Sequence, residues 1–283
     1  MQGEPLSPLL FCAGIAPLIQ AVADYFPQVE QLWYLDDGLL YGDAAHVSAC
    51  LVLIQKRLQL LNLELNLQKC ELYTKMEADR IGDLGCVPRV LDTTEWSYLG
   101  APLGSERHSK AGQSALERTA AVTAAITKFG EKFPLQDFSL LRYTVGACRI
   151  QHLCQALSVE ELCIDVVLPC RDLLLRATQA LLAAPLNEKQ WTQATLPSRN
   201  GGIGFGDPTV SAHAARLAML VNTAETILDL GVKEVVLKAA TEAALLSYNT
   251  FWGLQCGLPA PAKTLQRKLT AAVHDLKRAK LAA

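Results

Sequence analysis

The chain has 283 residues, of which 51% are hydrophobic and 19% charged, with a formal net charge of −2. That length and apolar content suffice for one large domain or two ordinary ones and exclude a disordered chain. The near-neutral balance excludes a globally basic nucleic-acid binder, but the charge is uneven. From Lys263 onward six Lys/Arg stand against one acid, Asp275, a balance of +5, which leaves −7 for the remainder. Such a tail is either a solvated helix face or a phosphate-contacting one. Nine cysteines without a CxxC pair read as buried free thiols of a reducing compartment. Met1-Gln2-Gly3-Glu4-Pro5 lacks the basic segment of a signal peptide, and no uncharged apolar run is expected to reach transmembrane length. The expectation is a soluble intracellular protein without a membrane partner, nuclear or cytoplasmic.

In chain order, the polar turn Gln2-Gly3-Glu4-Pro5-Leu6 leads into an apolar helix from Leu9 to about Val22. Ser7 reads as its N-cap, with Pro8 at the first helical position. A turn of this composition normally joins two elements, so the start is expected to be truncated or misplaced. Next comes Trp33-Tyr34-Leu35-Asp36-Asp37-Gly38-Leu39-Leu40-Tyr41-Gly42. Two β-favouring runs flank Asp-Asp-Gly, which predicts a hairpin with Asp36 and Asp37 side by side at its tip. Adjacent carboxylates repel unless a cation lies between them, and Mg2+ is the usual oxygen-seeking choice. The same pattern also describes a hairpin with no function.

Val47, Cys50, Leu51, Ile54, Leu58 and Leu61 then recur at helical spacing. Alternation over 65–72 predicts a strand carrying Lys69, and 96–104 predicts a short strand and turn. From Ser105 the texture is helical. One helix holds Leu116, Ala120, Ile126 and Phe129, a second runs from Phe138 to Leu157 with Asp137 as cap, and a third from Ile164 to Leu182. Pro197-Ser198-Arg199-Asn200-Gly201-Gly202-Ile203-Gly204-Phe205-Gly206 reads as a flexible connector, since it fits neither GxGxxG nor a phosphate loop. Ala- and Leu-rich helices follow to the end.

Four blocks thus stand in one order: Gln2-Gly3-x-Pro5-Leu6-Ser7-Pro8-Leu9-Leu10-Phe11, Tyr34-Leu35-Asp36-Asp37, Leu65-Asn66-x-x-Lys69-Cys70-Glu71 and Tyr98-Leu99-Gly100. They resemble motifs B, C, D and E of a reverse transcriptase palm, of the type encoded by retrotransposons lacking long terminal repeats. Leu140-Leu141-Arg142 through His152-Leu153 resembles the helical thumb more loosely.

The resemblance implies an α+β fold. A partial palm over 1–104 would be followed by a helical thumb-like region over 105–196 and a helical C-terminal region with the basic tail over 197–283. It implies RNA-templated DNA synthesis by two-metal nucleotidyl transfer, with an RNA template, a DNA primer and deoxynucleoside triphosphates. Asp36 and Asp37 match the Mg2+ ligands, and Lys69 the lysine that serves the departing pyrophosphate. Gln2 and Gly3 match the turn against template and incoming nucleotide. Tyr34 belongs to the catalytic hairpin, and Tyr98, Leu99 and Gly100 match the primer grip. Motif A and the fingers have no counterpart, and Asp24 and Asp43 are not substitutes. The chain is therefore expected to be inactive alone. The alternative is a non-catalytic nucleic-acid-binding or interaction module derived from a retroelement.

Overall fold

The computed structural model describes residues 5–74, 84, 86–92, 95–103, 109–130 and 134–282. The chain divides into two compact units, Met1–Glu106 and Arg107–Ala283. The expected boundary at 104/105 and the turn residues Gln2 and Gly3 lie outside the described residues. Helices dominate, and the short strand pairs all belong to the first unit, so the fold is α+β as expected.

In the first unit, helix α1 (Ser7–Tyr25) precedes the hairpin β1 (Glu30–Tyr34) and β2 (Asp37–Tyr41), and α2 (Ala44–Leu60) follows it. The cap position of α1 is Leu6, with no side-chain cap bond. Ser7 is already helical, so it is not the predicted N-cap. Another expectation also fails here. The uncharged run from Pro5 to Ala23 makes α1 long and apolar enough to cross a membrane. In this fold its Leu18 and Val22 are buried with Val29, Cys50 and Ile54, the common core of both helices and the hairpin. Asp43 caps α2, its Oδ1 accepting from the Ala45 N–H at 3.0 Å.

The predicted 65–72 strand is mostly absent. Residues Leu67–Lys69 form a 3-10 turn, started by Asn66, whose Oδ1 accepts from the Gln68 N–H at 3.1 Å. Asn66 and Gln68 compete for local backbone partners, and this local bond wins over the strand. Only β3 (Leu72–Tyr73) remains extended, paired in parallel with β4 (Arg89–Val90). A second antiparallel hairpin follows, β5 (Ser97–Tyr98) and β6 (Ala101–Pro102), reversing at Leu99 and Gly100, both at positive φ.

The second unit is helical: α3 (Ser109–Gly130), α4 (Pro134–Thr144), α5 (Ala147–Ala156), α6 (Val159–Leu162), a π turn over Cys163–Val167, α7 (Leu168–Leu182), α8 (Glu188–Thr195), α9 (Pro208–Asn222), α10 (Ala224–Asp229), α11 (Glu234–Trp252) and α12 (Leu265–Ala282). Helix α9 is buried almost all round, as its run of small and apolar side chains requires. Ala212 and Ala215 face a core with Ile150, Leu153, Leu162 and Cys170, while Val210, Leu217 and Val221 face Tyr248, Leu269 and Val273.

Three helical expectations change. The predicted 138–157 helix breaks at Gly146, which takes φ 94° ahead of α5. Asp137 lies inside the first turn of α4 and is buried, so it does not cap a helix from Phe138. The predicted helix from Ile164 starts as the π turn, and Pro169 stands in the first turn of α7. The glycine-rich 197–206 stretch is a packed cap rather than an open connector. The N–H groups of Ile203, Gly204 and Phe205 return to the carbonyls of Ala194 and Leu196, which α8 leaves unpaired at its end.

The strongest polar tie in this unit joins α12 to the start of α9. Asp207 caps α9 and is 3% exposed, and its Oδ2 accepts from the Lys277 Nζ at 2.8 Å. One basic residue of the C-terminal tail is thus committed to the interior, while Arg267, Lys268, Arg278 and Lys280 stay exposed. Removing one partner of a buried pair leaves an uncompensated charge. We expect Lys277→Ala to lower unfolding free energy by about 3–5 kcal/mol, measured by urea denaturation.

The two units differ in their buried cores: among the described residues the first has one small cluster and the second three larger ones. The first exposes Leu9, Leu10, Tyr25, Tyr34, Tyr41 and Leu60 at 60–77%. A unit with a small core and this much uncovered apolar surface opens at low free energy. In limited proteolysis read by mass spectrometry, cleavage within 30–41 is expected before cleavage within α9. Equal protection of both segments would overturn the assignment.

Candidate active site

The hairpin that carries the acidic pair is positioned by an aromatic ring and two side-chain amide bonds. Trp33 lies directly opposite Gly38 in the β1–β2 register. A Cβ placed on Gly38 would fall 2.6 Å from the Trp33 ring, so the indole occupies the space where any other residue would project. The Trp33 Nε1–H donates to Gln31 Oε1 at 2.8 Å, and the Gln31 Nε2 donates to the Ile19 carbonyl at 3.0 Å. Gln31, Trp33 and Leu40 therefore share the face that rests on the helices. Leu32, Tyr34, Asp37, Leu39 and Tyr41 share the opposite, more open face.

The turn is one residue earlier than Asp-Asp-Gly predicts. Tyr34 pairs with Asp37, which leaves Leu35 and Asp36 as the two loop residues. Leu35 takes the positive φ, 55°. Asp37 is already a strand residue, and Gly38 serves the Trp33 ring rather than the turn. Asp36 and Asp37 remain adjacent at the tip, both exposed, and no ion pair reaches either carboxylate among the described residues.

The structure brings one more of the expected residues to this tip. The Tyr98 hydroxyl lies 3.2 Å from the Asp37 carbonyl oxygen and 3.4 Å from that of Leu32. Burial, with the Asp37 charge as a smaller contribution, raises the Tyr98 phenol above its ordinary range, so it stays a donor. Leu99 and Gly100 form the adjoining turn of the β5–β6 hairpin.

Tyr73 and Trp96, which sequence reading left without a role, support this arrangement. The Tyr73 hydroxyl contacts the Glu71 carboxylate and donates to the Ser97 carbonyl at 2.8 Å. Its ring lies 5.6 Å from that of Trp96, whose Nε1–H donates to the Val90 carbonyl at 2.9 Å. Burial and the Glu71 carboxylate push the Tyr73 phenol up to about 12. The only sequence signal was the aromatic pair flanking the polar loop. Lys69 is not on a strand but exposed at the end of its 3-10 turn. It makes no ion pair with Asp36 or Asp37 among the described residues.

Two adjacent carboxylates offer hard oxygen donors without nitrogen or sulfur, a donor set suited to Mg2+. That ion commonly takes one or two carboxylates together with water and substrate phosphates. No group of three His, Cys, Asp or Glu side chains able to hold a metal occurs among the described residues.

The first unit, which carries this hairpin, is also the part of the chain that a family comparison covers. Residues 1–103 match the family model described as reverse transcriptase (RNA-dependent DNA polymerase). They are thus reverse transcriptase-like, and that class works on a nucleic-acid template and primer with nucleotide substrates. The model does not extend into the second unit. No curated protein sequence matches the chain.

The geometry makes the tip sensitive to small changes. Gly38→Ala should displace Trp33 and destabilise the first unit by about 1–3 kcal/mol, with a red shift of tryptophan emission. Tyr98→Phe should cost about 0.5–1.5 kcal/mol and leave that emission unchanged. Unaltered stability in both variants would remove these contacts from the account.

Proposed function

We propose that the chain is the palm and thumb portion of a reverse transcriptase of the type found in retrotransposons lacking long terminal repeats, and that the activity it contributes to is RNA-templated DNA synthesis. The observation that carries this reading is the adjacent Asp36 and Asp37 at a hairpin tip held by Tyr98, within the matched residues 1–103.

Asp36 and Asp37 would hold Mg2+, which when bound stabilises charge on the reacting phosphate. Asp36 sits in the loop, where its carboxylate can adjust, and Asp37 sits on a hydrogen-bonded strand, where its backbone is fixed. Tyr98 fixes the height of that strand through the Asp37 carbonyl. The Leu99–Gly100 turn beside it would carry the primer end, and Gln2 and Gly3 the template and incoming nucleotide. Lys69, exposed on a long side chain, would neutralise or protonate the leaving pyrophosphate.

A second reading, a non-catalytic nucleic-acid-binding module, is favoured by one observation: among the described residues no third carboxylate joins the pair. Primer extension on poly(rA)–oligo(dT) with Mg2+ or Mn2+ tests the second reading, which product that disappears in Asp36→Ala would overturn. Because no third carboxylate stands beside the pair among the described residues, the chain is expected to give no product. The shortfall is large, since each tenfold in rate is ~1.4 kcal/mol and such catalysts supply at least ~8. The metal assignment is checked independently by Mn2+ titration followed by NMR. Amide signals of residues 35–38 should broaden selectively, and the effect should vanish in Asp36→Asn/Asp37→Asn. Broadening that persists in the double variant would sink the assignment.

A further inference from the structure

Arg142 on α4 has no acidic partner among the described residues. Its Cζ lies 5.2 Å from the Tyr143 ring centroid. Gly204, at φ 83°, also borders it, and an added Cβ there would come within 3.0–3.1 Å of the guanidinium. A side chain at this left-handed position would be strained and would crowd the group. The side chain is half-buried, yet no carboxylate or carbonyl accepts from it among the described residues. Five donors in a rigid fork therefore have no acceptor from the protein.

The guanidinium borders a cleft of about 220 Å³, whose lining also includes Ser198, Ser211, Thr270 and His274. These side chains supply hydroxyl and imidazole groups. The one acid in the lining is Asp207. Its Oδ1 accepts from the Thr209 N–H at 3.0 Å and from the Thr209 hydroxyl at 2.6 Å, and its Oδ2 takes Lys277 at 2.8 Å. Asp207 is thus saturated by its own partners and leaves the Arg142 charge uncompensated. Burial, with the Lys277 and Arg199 cations, lowers the proton affinity of His274 despite the opposing charges of Asp207 and Asp275.

We propose that this cleft is a binding site for a phosphate oxyanion, with the Arg142 fork as its principal ligand and the Ser198, Ser211 and Thr270 hydroxyls around it. Planar bidentate recognition of phosphate is the use to which a pre-oriented, unpaired guanidinium is suited. The same helix carries Leu140 and the 71%-exposed Tyr143, which with Phe129 line a shallow apolar hollow. An aromatic face beside a phosphate site matches one nucleotide of a single strand, base against ring and phosphate against guanidinium. A phosphodiester of a nucleic-acid strand is therefore the favoured source over free phosphate. The site belongs to the second unit and does not rest on the reading of residues 1–103.

The test uses the full chain with two probes. One is a fluorescein-labelled oligothymidylate followed by anisotropy, and the other is inorganic phosphate followed by 31P line width. Arg142→Gln is expected to weaken oligonucleotide binding at least ~10-fold, the size of a charge-assisted pair, and to reduce the salt slope by about 0.7. Ser198 is on the exposed rim, so Ser198→Glu preserves packing while offering Arg142 an internal carboxylate, and it should weaken both probes. Tyr143→Ala should weaken the oligonucleotide alone. Thermal midpoints confirm folding of each variant. Loss of phosphate binding with unchanged oligonucleotide binding would keep the oxyanion site and overturn its nucleic-acid source. Unchanged binding of both probes in folded Arg142→Gln, or in Ser198→Glu should the first variant unfold, overturns the site itself.

Discussion

The approach of the Trp33 ring to Gly38 is the constraint on which the acidic tip depends. A two-stranded ribbon is marginal in water by itself, and this one gains its stability by laying one face on α1 and α2. The indole can enter that face only because its cross-strand partner has no Cβ. Strand register then follows. With Trp33 and Gly38 inward, Asp37 is turned to the open face, and a slip of one residue would reverse both. Tyr98 closes the arrangement from the far side by taking the carbonyls of Asp37 and Leu32. The acidic pair is thus presented by apolar packing below and hydrogen bonding beside it.

The second unit is organised differently. Its centre is a helix buried on nearly every face, and the polar groups at the start of that helix cannot be left to solvent. Asp207 meets this need twice over, as the cap of α9 and as the partner of Lys277 from α12. The 197–206 stretch returns to cover the end of α8, which brings Gly204 up against Arg142. The cleft beside that arginine is a consequence of closing two helix ends at one place.

Much of the fold class was legible in the sequence, because hydrophobic period and turn chemistry act locally. The β1–β2 hairpin and the helix through Cys50 and Ile54 are both local patterns. Positions decided by tertiary contact were not legible. Gly38 looked like a turn glycine and is a seat for a ring, and Asp43 looked idle and is a helix cap. Alternation over 65–72 suggested a strand, but Asn66 bonded its own backbone instead. Among the site residues, the pairing of Asp36 with Asp37 could be read directly. The reach of Tyr98 to Asp37 spans 61 positions and has no local signal. The resemblance alone singled out Tyr98, and the Tyr73–Trp96 support was missed.

Both hairpins of the first unit reverse on a leucine in the left-handed region, Leu35 at φ 55° and Leu99 at φ 51°. For a residue with a Cβ that conformation costs about 1–2 kcal/mol, and neither turn has the Asn or Gly that would avoid it at the first loop position. In an isolated ribbon neither reversal is favoured, so each hairpin forms only once its neighbours are in place. Closure of the acidic tip and closure of the Leu99 turn are then a single cooperative event. Ordering of Leu99 and Gly100 by a bound strand end would also rigidify Asp36.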